Sequence, residues 1–129
     1  MDDYDLIVHE DLSVANLTRR PQPIPNDSGG YDPNGAAAKA GLNREILSAG
    51  WGILLRMLAY KGAEAGKQVI AVDPRHTSQT CHECGHVDAG SRVGAVFRCL
   101  GCGHTDHADI NAARNIFRAG LALRLERAA

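Results

Sequence analysis

Four cysteines stand in two matched turns, Cys81-His-Glu-Cys84-Gly and Cys99-Leu-Gly-Cys102-Gly, with fourteen residues between the pairs. Each C-x-x-C-G turn aims two thiolates at one point, and the glycine relieves the backbone just after the second thiol. Two such knuckles close a tetrahedron around zinc. A redox dithiol needs only one pair, and a catalytic zinc leaves a coordination position open; matched knuckles speak against both. His82, His86, His104 and His107 lie close by and could replace a cysteine, although histidines beside a zinc ribbon more often face solvent. A segment this small has almost no core, so metal binding must supply most of its folding free energy, on the order of 10 kcal/mol or more.

The second set of chemically able residues is acidic. In "HTDHADINAARNI", Asp106 and Asp109 stand three apart where the cysteine segment gives way to a helix. A carboxylate at a helix start is either an N-cap, worth roughly 1 kcal/mol, or a ligand. Glu10 ends an apolar run at the other end of the chain. If the strands carrying Glu10 and the following run lie side by side, the helix can return near the same edge. Two converging carboxylates would repel and raise each other's pKa unless a divalent cation joined them. Mg²⁺ or Mn²⁺ held by carboxylates, water and phosphate oxygens is the apparatus of phosphodiester hydrolysis.

The elements that must position these groups alternate. Leu6 to Val8, with charge on both sides, predicts a short buried strand ending near Glu10. "TRRPQPIPNDSGGYDPNGAAAKAG" has no periodicity and predicts a loop of more than twenty residues. From Asn43, a plausible N-cap, Leu42, Ile46, Ala49, Ile53, Met57 and Tyr60 follow helical spacing. Gly50 and Gly52 inside that helix call for close backbone packing against a sheet. Gly66 predicts its stop, and Gln68 to Asp73 a second buried strand before Pro74. "VGAVFRC" alternates as a short ribbon strand. A last helix is expected from about Asp109 to Arg127, with Ile110, Ala113, Phe117, Leu121 and Arg124 on the stripe that covers a sheet, widened by Ile116 and Leu125.

Bulk composition narrows the class. With 129 residues, 44% hydrophobic and 22% charged, the chain suits one soluble domain with an insert. It holds no apolar run of membrane-spanning length, and its acidic start lacks the basic character of a targeting segment, so a cytoplasmic place is expected, on the nucleoid when DNA is bound. The net charge of −1 gives no global pull toward nucleic acid, so such binding needs a local basic patch or a metal. Eleven arginines against three lysines suit phosphate contacts, though GC-rich coding would also favour them.

"IVHEDLSV", "LNREILSAGWGILLRMLAYKGAEAGKQVIAVDP", "TSQTCHECGH", "FRCLGCGH" and "DHADINAARNI" together resemble the C-terminal part of the TnpB (OrfB) family, transposon-encoded nucleases related to type V CRISPR effectors. The resemblance runs from about Leu6 to Ala119. It implies an α/β fold, a partial RNase-H-like (RuvC) fold interrupted by a zinc ribbon that contacts target nucleic acid. The implied segments are 1–73, partly RuvC-like; 74–104, the ribbon; and 105–129, the helix with the last acidic motif. Glu10 matches the family's middle catalytic acid and Asp109, in "D-x-N-A-A", its last; Asp106 is at best auxiliary. Cys81, Cys84, Cys99 and Cys102 carry over as zinc ligands.

The family's first catalytic aspartate lies on an upstream strand in a "G-x-D-x-G" context. Asp2, Asp3 and Asp5 lack those glycines, and the guide-RNA-binding and DNA-recognition regions are missing, so a C-terminal fragment or truncated reading frame is expected. Two functions follow. One is part of a DNA endonuclease with two of three metal-binding acids, inactive alone, its guide RNA held by absent regions. The other is a zinc-ribbon module that binds DNA through Arg75, Arg92 and Arg98 without chemistry.

Overall fold

β1 (Leu6–Glu10) and β4 (Gln68–Val72) are short apolar runs, and they pair side by side and parallel, Leu6 opposite Gln68 and Glu10 opposite Val72. The pairing continues past the strand end, where the Asp11 N–H donates to the Val72 carbonyl. The structure, a computed structural model, describes residues 4–129. Contacts group the segment ending at Asp11 with Ala65–Ala129 as one unit and Leu12–Glu64 as another. The mixed helix and strand content agrees with the α/β expectation.

In the first unit, β4 leads into the cysteine segment. A one-turn 3₁₀ helix (Ala89–Ser91) precedes β5 (Arg92–Val93), β6 (Val96–Arg98) and β7 (Thr105–His107), which form an antiparallel sheet in that order. Phe97, Cys81, Cys99 and Ala108 make its small core. α4 (Ala108–Ala128) follows β7 directly and packs against both β1 and β4. Its start is tied to the ribbon by the Ala108 N–H, which donates to the Ala95 carbonyl.

The face α4 turns to the sheet differs from the expected one. Ala108, Asn111, Ala112, Asn115, Ile116, Ala119, Gly120 and Leu123 are buried or half-buried. Ile110, Phe117, Leu121 and Leu125, expected to cover the sheet, are exposed. Small side chains win because the helix comes very close: a Cβ built on Gly120 would lie 2.3 Å from Val8 Cγ2. Gly120 is thus the close-packing glycine. Gly50 and Gly52, predicted for that role, have nothing within 4 Å of a built Cβ.

The second unit corrects the loop and the single helix. The stretch expected to be structureless holds α1 (Val14–Leu17), a minimal hairpin of β2 (Ile24–Pro25) and β3 (Tyr31–Asp32), and the start of α2 (Ala36–Ser48). The alanine run opens α2 after Gly35, which sits at φ 70°. Asn43 is inside α2, not its cap, and donates to the Thr18 carbonyl at 2.6 Å. α2 and α3 (Trp51–Glu64) are separate helices because Gly50 adopts φ +65°, a left-handed conformation that ends a helix. Gly66, two residues before β4, is also left-handed at φ 66°.

Candidate metal centre and nucleic-acid interface

The two knuckles are built alike, on the sequence Cys-x-x-Cys-Gly-His. In the first, the Cys81 N–H donates to the His86 carbonyl and the Gly85 N–H to the Cys81 carbonyl; in the second, Cys99 donates to His104 and Gly103 to Cys99. Gly85 and Gly103 both take left-handed φ, at 77° and 78°, which an L side chain rarely adopts. The repeated turn is why the spacing could be read as a metal knuckle.

The four Sγ atoms converge, all lying within 4.8 Å of one another. Cys81 and Cys102 stand 3.8 Å apart, Cys84 and Cys99 3.6 Å. These are too far for disulfides, whose sulfurs lie about 2.05 Å apart. They match the roughly 3.8 Å edge of a tetrahedron of thiolates around an ion with metal–sulfur bonds near 2.3 Å. The donor set therefore fits zinc. Backbone N–H groups of Cys102 and Gly101 point at Cys99 Sγ. Against the cost of burial, they and the neighbouring thiols Cys84 and Cys102 bring the Cys99 pKa down to about 6. At Cys102 an N–H from His104 favours the thiolate, but Cys84, burial, Cys99 and Cys81 together push its pKa up to about 12. The surroundings thus favour the thiolate at Cys99 and the thiol at Cys102, and a cation at the centre would favour the thiolate at both.

Glu10 closes β1, and its Oε1 accepts from the Thr77 hydroxyl. The Thr77 carbonyl in turn accepts from Asn115 of α4 at 3.0 Å, so Glu10 reaches the flank of α4 through one residue. Asp109 lies six residues upstream of Asn115, about 9 Å of helix. Gly120 lies eleven residues after Asp109, just over three turns, so the two share a helix face, and that face meets Val8 of β1 at Gly120. The expectation that Asp109 caps the helix is corrected. His107 is the N-cap, its Nδ1 accepting from the Asp109 N–H at 3.2 Å. Asp109 sits in the first turn and pairs with Arg92 at 3.1 Å. Glu10 and Asp109 share no partner among the described residues, and neither belongs to a converging group of three metal-binding side chains. Asp2 and Asp3 lie outside the described residues.

Asp106 is engaged elsewhere, accepting from Arg114 at 2.8 Å between His82 and His104. Of the arginines expected at nucleic acid, Arg75 pairs with Asp73, Arg92 with Asp109, and Arg98 stands exposed on β6. His82 departs from the solvent-facing expectation, being only 7% exposed.

Sequence reasoning also missed the clamp between α4 and residues 77–82. Asn111, fully buried, accepts from the His82 N–H and donates to the Thr80 carbonyl. Asn115 donates to the carbonyls of Thr77 and Thr80, and Arg118 to that of His82. The signal was in "NAARN", two amides four residues apart on one face of a helix.

A small antiparallel ribbon around four converging thiols, seated on a helix that crosses a parallel strand pair, defines the class. The Cas12f1-like TNB domain model matches residues 51–116. The chain is 43% identical over 121 residues to a putative RNA-guided DNA endonuclease, InsQ, of Escherichia coli K12, covering 93% of this chain and 29% of that protein. It is 53% identical over 64 residues to the CRISPR-associated endodeoxyribonuclease Cas12f1 of Sulfoacidibacillus thermotolerans, covering 49% of this chain and 15% of that one. The structure of CasPhi-2 (Cas12j) bound to crRNA and phosphorothioate DNA aligns at TM-score 0.51 and 26% identity, over 90% of this chain and 15% of that one. The chain belongs to the TnpB and Cas12f1-like family, and it spans less than a third of these relatives. No helix among the described residues is long and apolar enough to cross a membrane.

Proposed function

We propose that this chain is the C-terminal portion of an RNA-guided-type DNA endonuclease, a partial RuvC-like fold carrying a zinc ribbon that binds target DNA. Glu10 and Asp109 are two of the three acids that hold Mg²⁺ or Mn²⁺ in a complete site, and Asp106 belongs to the ribbon's support. The observation that carries this reading is the convergence of four thiols in a ribbon that runs directly into a helix packed on the strand ending in Glu10. Zinc, held by Cys81, Cys84, Cys99 and Cys102, supplies folding energy rather than chemistry. Arg98, and Arg75 and Arg92 once released from Asp73 and Asp109, would meet phosphates. A chain with two of three acids binds DNA and leaves it intact, because an in-line displacement needs a metal cluster with shared ligands.

The test uses the untagged chain with labelled duplex and single-stranded DNA in Mg²⁺ or Mn²⁺. The expected result is zinc-dependent, salt-sensitive binding without cleavage, weakened by Arg98→Ala. Cleavage abolished by Glu10→Gln would show that a complete site assembles without a further acid. Absence of DNA binding at low salt by the zinc-loaded chain would remove the reading altogether.

A further inference from the structure

His82 and His104 meet where the ribbon joins α4, one following the first knuckle's leading cysteine and the other closing the second knuckle. Their rings pack edge to face, with centroids 4.8 Å apart and an interplanar angle of 86°. Asp106 completes a triangle, its Oδ2 standing 3.8 Å from the Nε2 of each histidine. The three ligand atoms all lie within 4.8 Å of one another. The group is sheltered: the side chains of His82, His104 and Asp106 are 9%, 24% and 17% exposed. Within it, His104 Nε2 is buried and makes no hydrogen bond among the described residues. A buried imidazole nitrogen without a protein partner calls for one from outside the chain, an ion or an ordered water.

Arg114 shows what kind of species fits. Its Nη1 lies 2.8 Å from His82 Nε2 and 2.8 Å from Asp106 Oδ2, so the guanidinium donates to both. His82 Nε2 is therefore unprotonated and offers Arg114 a lone pair that a metal ion could take in place of the guanidinium. Arg114 is held there from the outside, with its side chain half exposed, and can leave into solvent without disturbing α4. Glu83 Oε1 stands 3.5 Å from His82 Nε2, within reach of the same ion. Ligands around a tetrahedral ion with bonds of 2.0–2.1 Å are about 3.3 Å apart, so the two edges that meet at Asp106 need to contract by roughly half an ångström.

The geometry points to a second metal site at His82, His104 and Asp106, selective for divalent first-row transition ions such as zinc, with Arg114 as the resident cation when metal is absent. Two imidazoles and one carboxylate suit Zn²⁺, Co²⁺ or Ni²⁺ rather than the all-oxygen shells of Mg²⁺ and Ca²⁺. Metal and guanidinium are exclusive occupants, since both use the His82 lone pair and the Asp106 oxygen. The site rests on these side chains alone and stands whether or not the chain is part of a nuclease.

The experiment is a Co²⁺ titration of the untagged, reduced, metal-free full chain, read by absorption, with metal content confirmed by elemental analysis. The first equivalent should give the intense thiolate-to-cobalt band of the four-cysteine site. A second should add only weak ligand-field absorption with no further thiolate band. His104→Gln and Asp106→Asn should lose the second equivalent and keep the first, while His107→Gln keeps both. Arg114→Met, which removes the competing cation, should tighten the second site by about tenfold or more, the usual size of an effect from a group beside a metal. Because the thiolate band reports a folded ribbon in every variant, a lost second equivalent is not confused with unfolding. One equivalent per chain in both the wild type and Arg114→Met, or a second equivalent that survives His104→Gln, overturns the site.

Discussion

Asn111 illustrates how much a single buried amide carries here. Its Oδ1 satisfies the His82 N–H and its Nδ2 the Thr80 carbonyl, which Asn115 also serves. Asn111→Ala strands the His82 N–H, and an orphaned buried backbone group costs about 1–3 kcal/mol. The Thr80 carbonyl keeps one donor in either single variant. Asn111→Ala with Asn115→Ala should therefore cost more than the sum of the two singles, measured as denaturation midpoints of the zinc-loaded protein. At the cysteines the effect is larger. Cys99→Ser removes the sulfur that collects two backbone N–H groups and should abolish the intense thiolate-to-cobalt band of the four-cysteine site and the near-UV signal of the ribbon. A variant that keeps that band at full intensity would show that Cys99 is not a ligand. These roles were unevenly legible. The cysteines could be read because metal chemistry fixes both their type and their spacing. His82, Asn111 and Arg114 could not, because polar side chains near a ribbon are exposed or buried according to what packs above them, and that is decided by α4.

At the scale of elements, β1, β4 and α4 were readable from apolar runs and helix signals, with boundaries close to those expected. The orientation of α4 was not. Apolar periodicity favours the face with the largest side chains, whereas the sheet selects the face that permits the closest approach. Gly120 against Val8 is the pivot of that seam. Gly120→Ala should destabilise the first unit by roughly 1–3 kcal/mol through overpacking. Val8→Ala in the same chain should recover much of that loss, because it removes the atoms the new methyl would strike. Thermal midpoints of the four members of this cycle test it, and additive losses would show that the contact is not the cause. Gly50 failed as a packing signal for the opposite reason: its φ is positive and its surroundings are open, so it marks a break between two helices.

For the whole molecule, stability is divided between a metal and a thin sheet. Chelation should unfold the ribbon between β4 and α4 while leaving helical signal from α2 and α3; far-UV and near-UV spectra that stay unchanged together would count against zinc as the ribbon's core. Near the strand pair, Lys67 donates to Asp5 at 2.9 Å and, with a smaller contribution from Arg124, holds that carboxyl below its ordinary range. A carboxyl lowered in the folded state stabilises it above the unfolded pKa, about 3.9, and loses that contribution as pH falls through the lowered value. The gap in melting temperature between wild type and Asp5→Asn should therefore be present at pH 6 and close once acidification passes below the ordinary carboxylate range. It should stay small throughout, since Asp5 is exposed and water screens the pair.

The parallel pair of β1 and β4 has one more consequence. Among the described residues neither strand pairs with a third, so the outer flank of each offers backbone amides and carbonyls that no further strand takes up. Such a margin is a template for whatever extended backbone arrives first. In concentrated solutions of the isolated polypeptide that newcomer is another molecule of the same kind, which makes lateral strand addition, rather than failure of the ribbon, the route by which this protein would precipitate.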